Sequence, residues 1–117
     1  MSVQLAHVTF DCHDATALAG FWSQALGTPV DDGAEAFFAS IGYPATDGTP
    51  AWLFIKVPEG KTAKNRMHLD LTAGEGGRDA EVARLVGLGA TKVGDHDESG
   101  NQWTVMHDPE GNEFCVA

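Results

Sequence analysis

The chain has 117 residues, 43% hydrophobic and 21% charged, one domain's length with an ordinary globular composition. That excludes a disordered, collagenous or coiled-coil chain. Seventeen acidic residues against seven basic ones give a formal charge of −10, so phosphate backbones and anionic lipid surfaces are poor partners.

Leu5 to Asp11 alternates. Ala6, Val8 and Phe10 are apolar and His7, Thr9 and Asp11 are polar, which predicts a strand with one face on a core. Asp14 is a candidate N-cap, and Leu18, Phe21, Trp22, Ala25 and Leu26 follow at helical spacing. Gly27 stops this helix and Pro29 follows it. Glu35 to Ile41 and Ala51 to Val57 read as strands, joined by the turn-rich stretch Gly42 to Pro50.

Met67 to Thr72 alternates in the same way, with His68, Asp70 and Thr72 on its polar side. Asp79 is expected to cap a helix carrying Val82, Leu85 and Val86, ended by Leu88-Gly89. Thr91 to Val93, Gln102 to His107 and Glu113 to Val116 read as strands. Asp95 to Glu98 reads as a solvated acidic turn, and Asp108-Pro109-Glu110-Gly111-Asn112 as a turn between the last two strands. No apolar run approaches the ~20 residues of a membrane helix. The start Met1-Ser2-Val3-Gln4 lacks the charged and apolar regions of a signal peptide. Two cysteines, Cys12 and Cys115, are too few for a disulfide scaffold, and a cytoplasmic location is expected.

His68 lies 61 positions after His7, Leu88-Gly89 lies 62 after Leu26-Gly27, and Val93 lies 63 after Val30. One strand–helix–strand–strand–strand module therefore appears twice, over about 5–57 and 67–116. The expected fold is α+β, with duplicated βαβββ modules forming a cup-shaped mixed sheet and helices on the outer face. The whole chain is expected to form a single domain.

Alternation also sorts the side chains by face. His7, Thr9 and Asp11 are expected on the concave side, as are His68 and Asp70. Placing Leu53, Ile55 and Val57 on the core puts Trp52, Phe54 and Lys56 on the concave side. Placing Phe114 and Val116 on the core puts Glu113 and Cys115 there too. Imidazole, thiolate and carboxylate together suit a divalent metal. The expected donors are His7, His68 and Cys115, with Glu113 and Asp70 as groups that move protons. Thr9, Trp52, Phe54 and Lys56 are the expected ligand contacts. The plainer alternatives are histidines hydrogen-bonded to Asp11 or Asp70, an inert Cys115 thiol and aromatics that only fill a core. Lys56, Lys61, Lys64 and Arg66 hold most of the positive charge and are suited to drawing an anionic ligand. Trp103 takes no face, and His13, His96 and His107 read as surface or turn residues. No phosphate loop, serine elbow or paired-histidine zinc motif is present.

The duplicated module, His7, Ala25-Leu26-Gly27, His68 and the Asp108 to Asn112 turn resemble the vicinal oxygen chelate superfamily of glyoxalases, bleomycin-resistance proteins and extradiol dioxygenases. The stretches Lys64 to Leu71 and Asn112 to Val116 resemble its glyoxalase-like domain branch. The resemblance implies a cup around a metal or ligand site, a homodimer and a small-molecule substrate. It also implies a metal carboxylate four residues after the turn glycine. Cys115 stands at that position, and Phe54 at the fourth-strand glutamate position. Two readings stay open. One is metal-dependent lyase or isomerase chemistry with zinc, manganese or iron. The other is metal-free binding of a drug-like molecule.

Overall fold

Alternation, turn residues and capping act locally, and in each half they produce a strand, a helix and then further strands. The computed structural model describes residues 1–117. The chain divides into two compact units, Met1–Gly60 and Lys61–Ala117. None of its helices is long and apolar enough to cross a membrane.

The first unit runs β1 (His7–Cys12), α1 (Ala15–Leu26), β2 (Phe38–Ile41) and β3 (Ala51–Lys56). Its three-stranded sheet has the order β1-β3-β2, with β1 parallel and β2 antiparallel to β3. Asp14 caps α1 as expected, its carboxylate accepting from the Ala17 N–H at 3.2 Å. Gly27 ends the helix at φ 72°, donating to the Ser23 carbonyl. Only glycine adopts that left-handed conformation cheaply. The helix buries Leu18, Phe21 and Trp22 as it packs on β2 and β3.

The face expected for β3 is reversed. Parallel pairing sets Val8 beside Trp52 and Phe10 beside Phe54, and paired residues share a face. Phe10 lies 5.7 Å from Trp22 and 5.4 Å from Phe54, centroid to centroid, and Trp52 lies 5.1 Å from Trp22. Phe54 is fully buried. Trp52 and Phe54 therefore face the helix, and Lys56 shares their parity at the strand's end. Leu53 and Ile55 share the other face with Thr9 and Asp11.

The cause is a one-residue change in repeat offset. Thr9 pairs with Leu53, while Asp70, 61 positions after Thr9, pairs with Cys115. Leu53 is thus the counterpart of Cys115, 62 positions away rather than 61. A slip of one residue moves every side chain to the opposite face.

The second unit runs β4 (Leu69–Leu71), α2 (Arg78–Leu88), β5 (Thr91–Glu98), β6 (Asn101–His107) and β7 (Glu113–Val116). Its four-stranded sheet has the order β4-β7-β6-β5, with β4 parallel to β7 and the remaining pairs antiparallel. The fully buried Met106, Phe114, Val116 and Thr104 occupy one face of the sheet. Helix α2 packs on β5, β6 and β7 and buries Val82 and Leu85.

Two local expectations change. Asp79 is not the cap of α2. Gly77 is, and Asp79 and Glu81 sit in the first turn, where carboxylates complement the helix dipole. Asp95 to Glu98 is strand, not turn, because Ser99-Gly100 closes the hairpin at φ 53° and 82° and lets Glu98 pair with Asn101. After helix α1, Val30 forms a single bridge with Ile41. Pro29 removes a ladder donor there. The Asp31 carboxylate holds a bend, accepting from Ser40 Oγ at 2.7 Å and from the Gly42 and Tyr43 N–H groups.

Candidate functional site

The second unit gathers the chemistry. Parallel β4 and β7 set Asp70 beside Cys115, and β6 sets Val105 on the other side of Cys115. Residues two apart on a strand share a face. One sheet face therefore carries Asp70, Cys115, Glu113, Val105 and Trp103, with His68 just before β4 on the Asp70 side. These residues line a groove of about 700 Å3, together with Lys64, His96 and Gln102.

His68, Asp70 and Cys115 form the tightest cluster. His68 Nδ1 lies 3.2 Å from Asp70 Oδ1 and 3.9 Å from Cys115 Sγ. One ligand atom from each of the three falls within 4.8 Å of the others. The Cys115 side of the cluster is buried, whereas the Asp70 side chain is 74% exposed. Burial pushes the Cys115 thiol's pKa up, the Asp70 carboxylate adds to the rise, and Lys64 partly offsets it. Without a cation the sulfur is therefore a neutral thiol at neutral pH.

Glu113 has a different environment. Lys61 Nζ lies 2.8 Å from its Oε2, and the Asn65 N–H donates to Oε1 at 2.6 Å. Burial raises its carboxyl, but these contacts outweigh that and hold it below the ordinary value. Both oxygens are engaged, so Glu113 anchors the 61–65 segment to β7. The Asn65 side chain adds a bond to Asn112 at 3.0 Å. The Asp108 carboxylate organises the preceding turn, accepting from the backbone N–H groups of Glu110 and Asn112.

Of two further groove residues, Trp103 takes no face from the sequence and His96 reads as a surface or turn residue. His96 stacks on Trp103, centroids 5.3 Å apart and planes 12° from parallel. Reading Asp95 to Glu98 as a turn hid His96. Trp103 lies two residues from Val105, so the pairing of Val105 with Cys115 across the Asp108 turn was the signal for its face.

The other expected site residues belong to the first unit. His7 is exposed beside the Tyr43 ring at 5.1 Å, and Thr9 and Lys56 are exposed. Trp52 and Phe54 sit against Phe10 and the helix, so the concave face that suggested a ligand role for them is not theirs.

A family model described as a glyoxalase-like domain matches residues 7–117. The chain belongs to the glyoxalase-like domain family. The expected vicinal oxygen chelate membership and α+β fold therefore stand. No functionally curated protein matches the sequence. Among solved structures, this glyoxalase-like chain resembles a glyoxalase/bleomycin resistance protein/dioxygenase family enzyme from Burkholderia phytofirmans PsJN. The TM-score is 0.78 at 18% identity, over 97% of each chain. It also resembles the fosfomycin resistance protein FosX from Listeria monocytogenes, complexed with Mn(II) and 1S,2S-dihydroxypropylphosphonic acid. Here the TM-score is 0.75 at 13% identity, over 99% of this chain and 90% of that one. A lactoylglutathione lyase from Agrobacterium tumefaciens gives a TM-score of 0.67 at 14% identity, over 99% and 93%. At these identities the likeness is one of fold.

The residues present fit a divalent cation. Four-coordinate zinc with nitrogen, oxygen and sulfur donors places its ligand atoms about 3.3–3.8 Å apart. The His68–Asp70 and His68–Cys115 separations of 3.2 and 3.9 Å sit close to that range. A thiol among the donors favours zinc or iron over the harder manganese.

Proposed function

We propose that this glyoxalase-like protein binds a small organic molecule in the groove of its second unit and transforms it there by metal-dependent lyase or isomerase chemistry. The observation that carries the reading is the convergence of His68, Asp70 and Cys115 on one wall of that groove. His68 and Cys115 would hold the cation, which when bound supplies Lewis-acid polarisation of substrate oxygens. The chain's own groups do the rest. Trp103 with His96 offers a flat wall for an apolar or planar part of the molecule. Lys64 puts a positive charge at the groove and favours an anionic substrate. Asp70 is the exposed carboxylate that takes a proton from the substrate. Glu113 stays ionised, tied to Lys61 and Asn65, and holds the groove's floor in place.

A second reading is metal-free binding of a drug-like molecule, favoured by the Trp103–His96 stack. Tryptophan fluorescence separates the two, with S-lactoylglutathione and dihydroxypropylphosphonic acid as probes. The metal-dependent reading expects quenching that a chelator abolishes and Trp103→Phe removes. Quenching that survives the chelator selects the metal-free reading, and its absence with both probes rejects this groove for both molecules. The proposed state is a homodimer, checked by sedimentation velocity as twice the 12.4 kDa chain mass.

A further inference from the structure

The third donor for a cation need not come from outside the second unit. We infer that His68 Nδ1, Asp70 Oδ1 and Cys115 Sγ form a complete three-donor site for a thiolate-tolerant divalent ion such as zinc. This deepens the metal-dependent reading above and rests on it.

Three placements carry the inference. Asp70 and Cys115 are direct partners in the parallel β4–β7 ladder, so the backbone fixes their side chains on one face. His68, two residues before Asp70, has its Nδ1 within 3.2 Å of the carboxylate and 3.9 Å of the sulfur. Glu113, the nearest further carboxylate on the β7 face, has both oxygens engaged by Lys61 and Asn65 and is withheld from the site. A nitrogen, an oxygen and a sulfur donor satisfy three positions of a four-coordinate ion and leave one for water or substrate. Oδ1 on the ion leaves the second Asp70 oxygen to accept a proton. The donor set also discriminates. Imidazole and thiolate suit zinc and cobalt(II), whereas magnesium and calcium take oxygen donors. His7 is not required.

Cobalt(II) tests this directly, because thiolate ligation gives a charge-transfer band in the near ultraviolet and four-coordination gives intense visible bands. The full chain, stripped of metal, is titrated with cobalt(II) and then with zinc(II) in competition. The expected result is one ion bound per chain with the thiolate band, displaced by zinc. Cys115→Ser should lose the band, and Asp70→Asn should bind at least tenfold more weakly. His7→Ala should keep the band and bind within threefold of wild type. Circular dichroism checks that each variant is folded. Cobalt bound without the thiolate band overturns the inference but leaves a metal-dependent groove standing. So does unchanged affinity in Asp70→Asn, or a loss beyond threefold in His7→Ala. Failure to bind either ion overturns the inference and the metal-dependent reading together, and chelator-insensitive quenching by the two probes then identifies the groove as a metal-free binding site.

Discussion

Asp31 and Glu113 are two partly or fully buried carboxylates that the fold keeps charged by surrounding them with donors. Burial raises the Asp31 carboxyl, but the Tyr43 N–H, the Ser40 hydroxyl and the Gly42 N–H outweigh it and hold it below 3.8. A folded pKa below the unfolded one gives stability that is full above the unfolded value and is lost as pH falls through the folded one. Acid titration of the wild type should therefore steepen the loss of stability below about pH 4. Asp31→Asn should flatten that region and cost about 1–3 kcal/mol at pH 7, read from urea unfolding at several pH values. Glu113→Gln keeps an acceptor for the Asn65 N–H but loses the Lys61 pair. It should cost about 1.5–3 kcal/mol and loosen the 61–65 segment, seen as faster amide exchange at Asn65.

At the scale of elements, the reversed face of β3 makes a sharp contrast between neighbours. Phe54 is fully buried against Phe10, while Ile55 is 38% exposed. Phe54→Ala should cost about 3–5 kcal/mol of stability, and Ile55→Ala about 1 kcal/mol or less, both measured by denaturant unfolding. Equal costs would mean that β3 does not present these faces. The same strand shows why sequence reading reached this far and no further. Ala51 to Val57 was legible as a strand, and Trp52 and Phe54 were legible as sharing a face. Which face was core was not legible, because Leu53, Ile55 and Val57 are as apolar as their neighbours. In β7 the alternation was also ambiguous, since all four residues are buried. There the assignment was correct because Asp70 pairs with Cys115.

For the whole molecule, the formal charge of −10 sets the background against which these local contacts act. Like charges repel in the folded state more than in the expanded one. Raising sodium chloride from low ionic strength to about 0.15 M, where the Debye length falls to ~8 Å, should raise Tm. The expected gain is roughly 1 kcal/mol, or several degrees. A fall in Tm on adding salt would mean that ion pairs such as Lys61–Glu113 outweigh the repulsion.

The amino-acid sequence by itself determined the order of strands and helices in outline and the caps of the first helix. Alternation, helical spacing, Asp14 and Gly27 act through neighbours a few residues apart, which is information a sequence carries. It also determined that His68, Asp70, Glu113 and Cys115 belong on one side of their strands. Only the tertiary structure decided which strands pair and in what register. That decision put Asp70 beside Cys115, turned Trp52 and Phe54 toward the helix, and brought His96 and Trp103 into the groove. Register is a contact between distant segments, set by which faces bury together, and a single-residue change in repeat offset is enough to invert it.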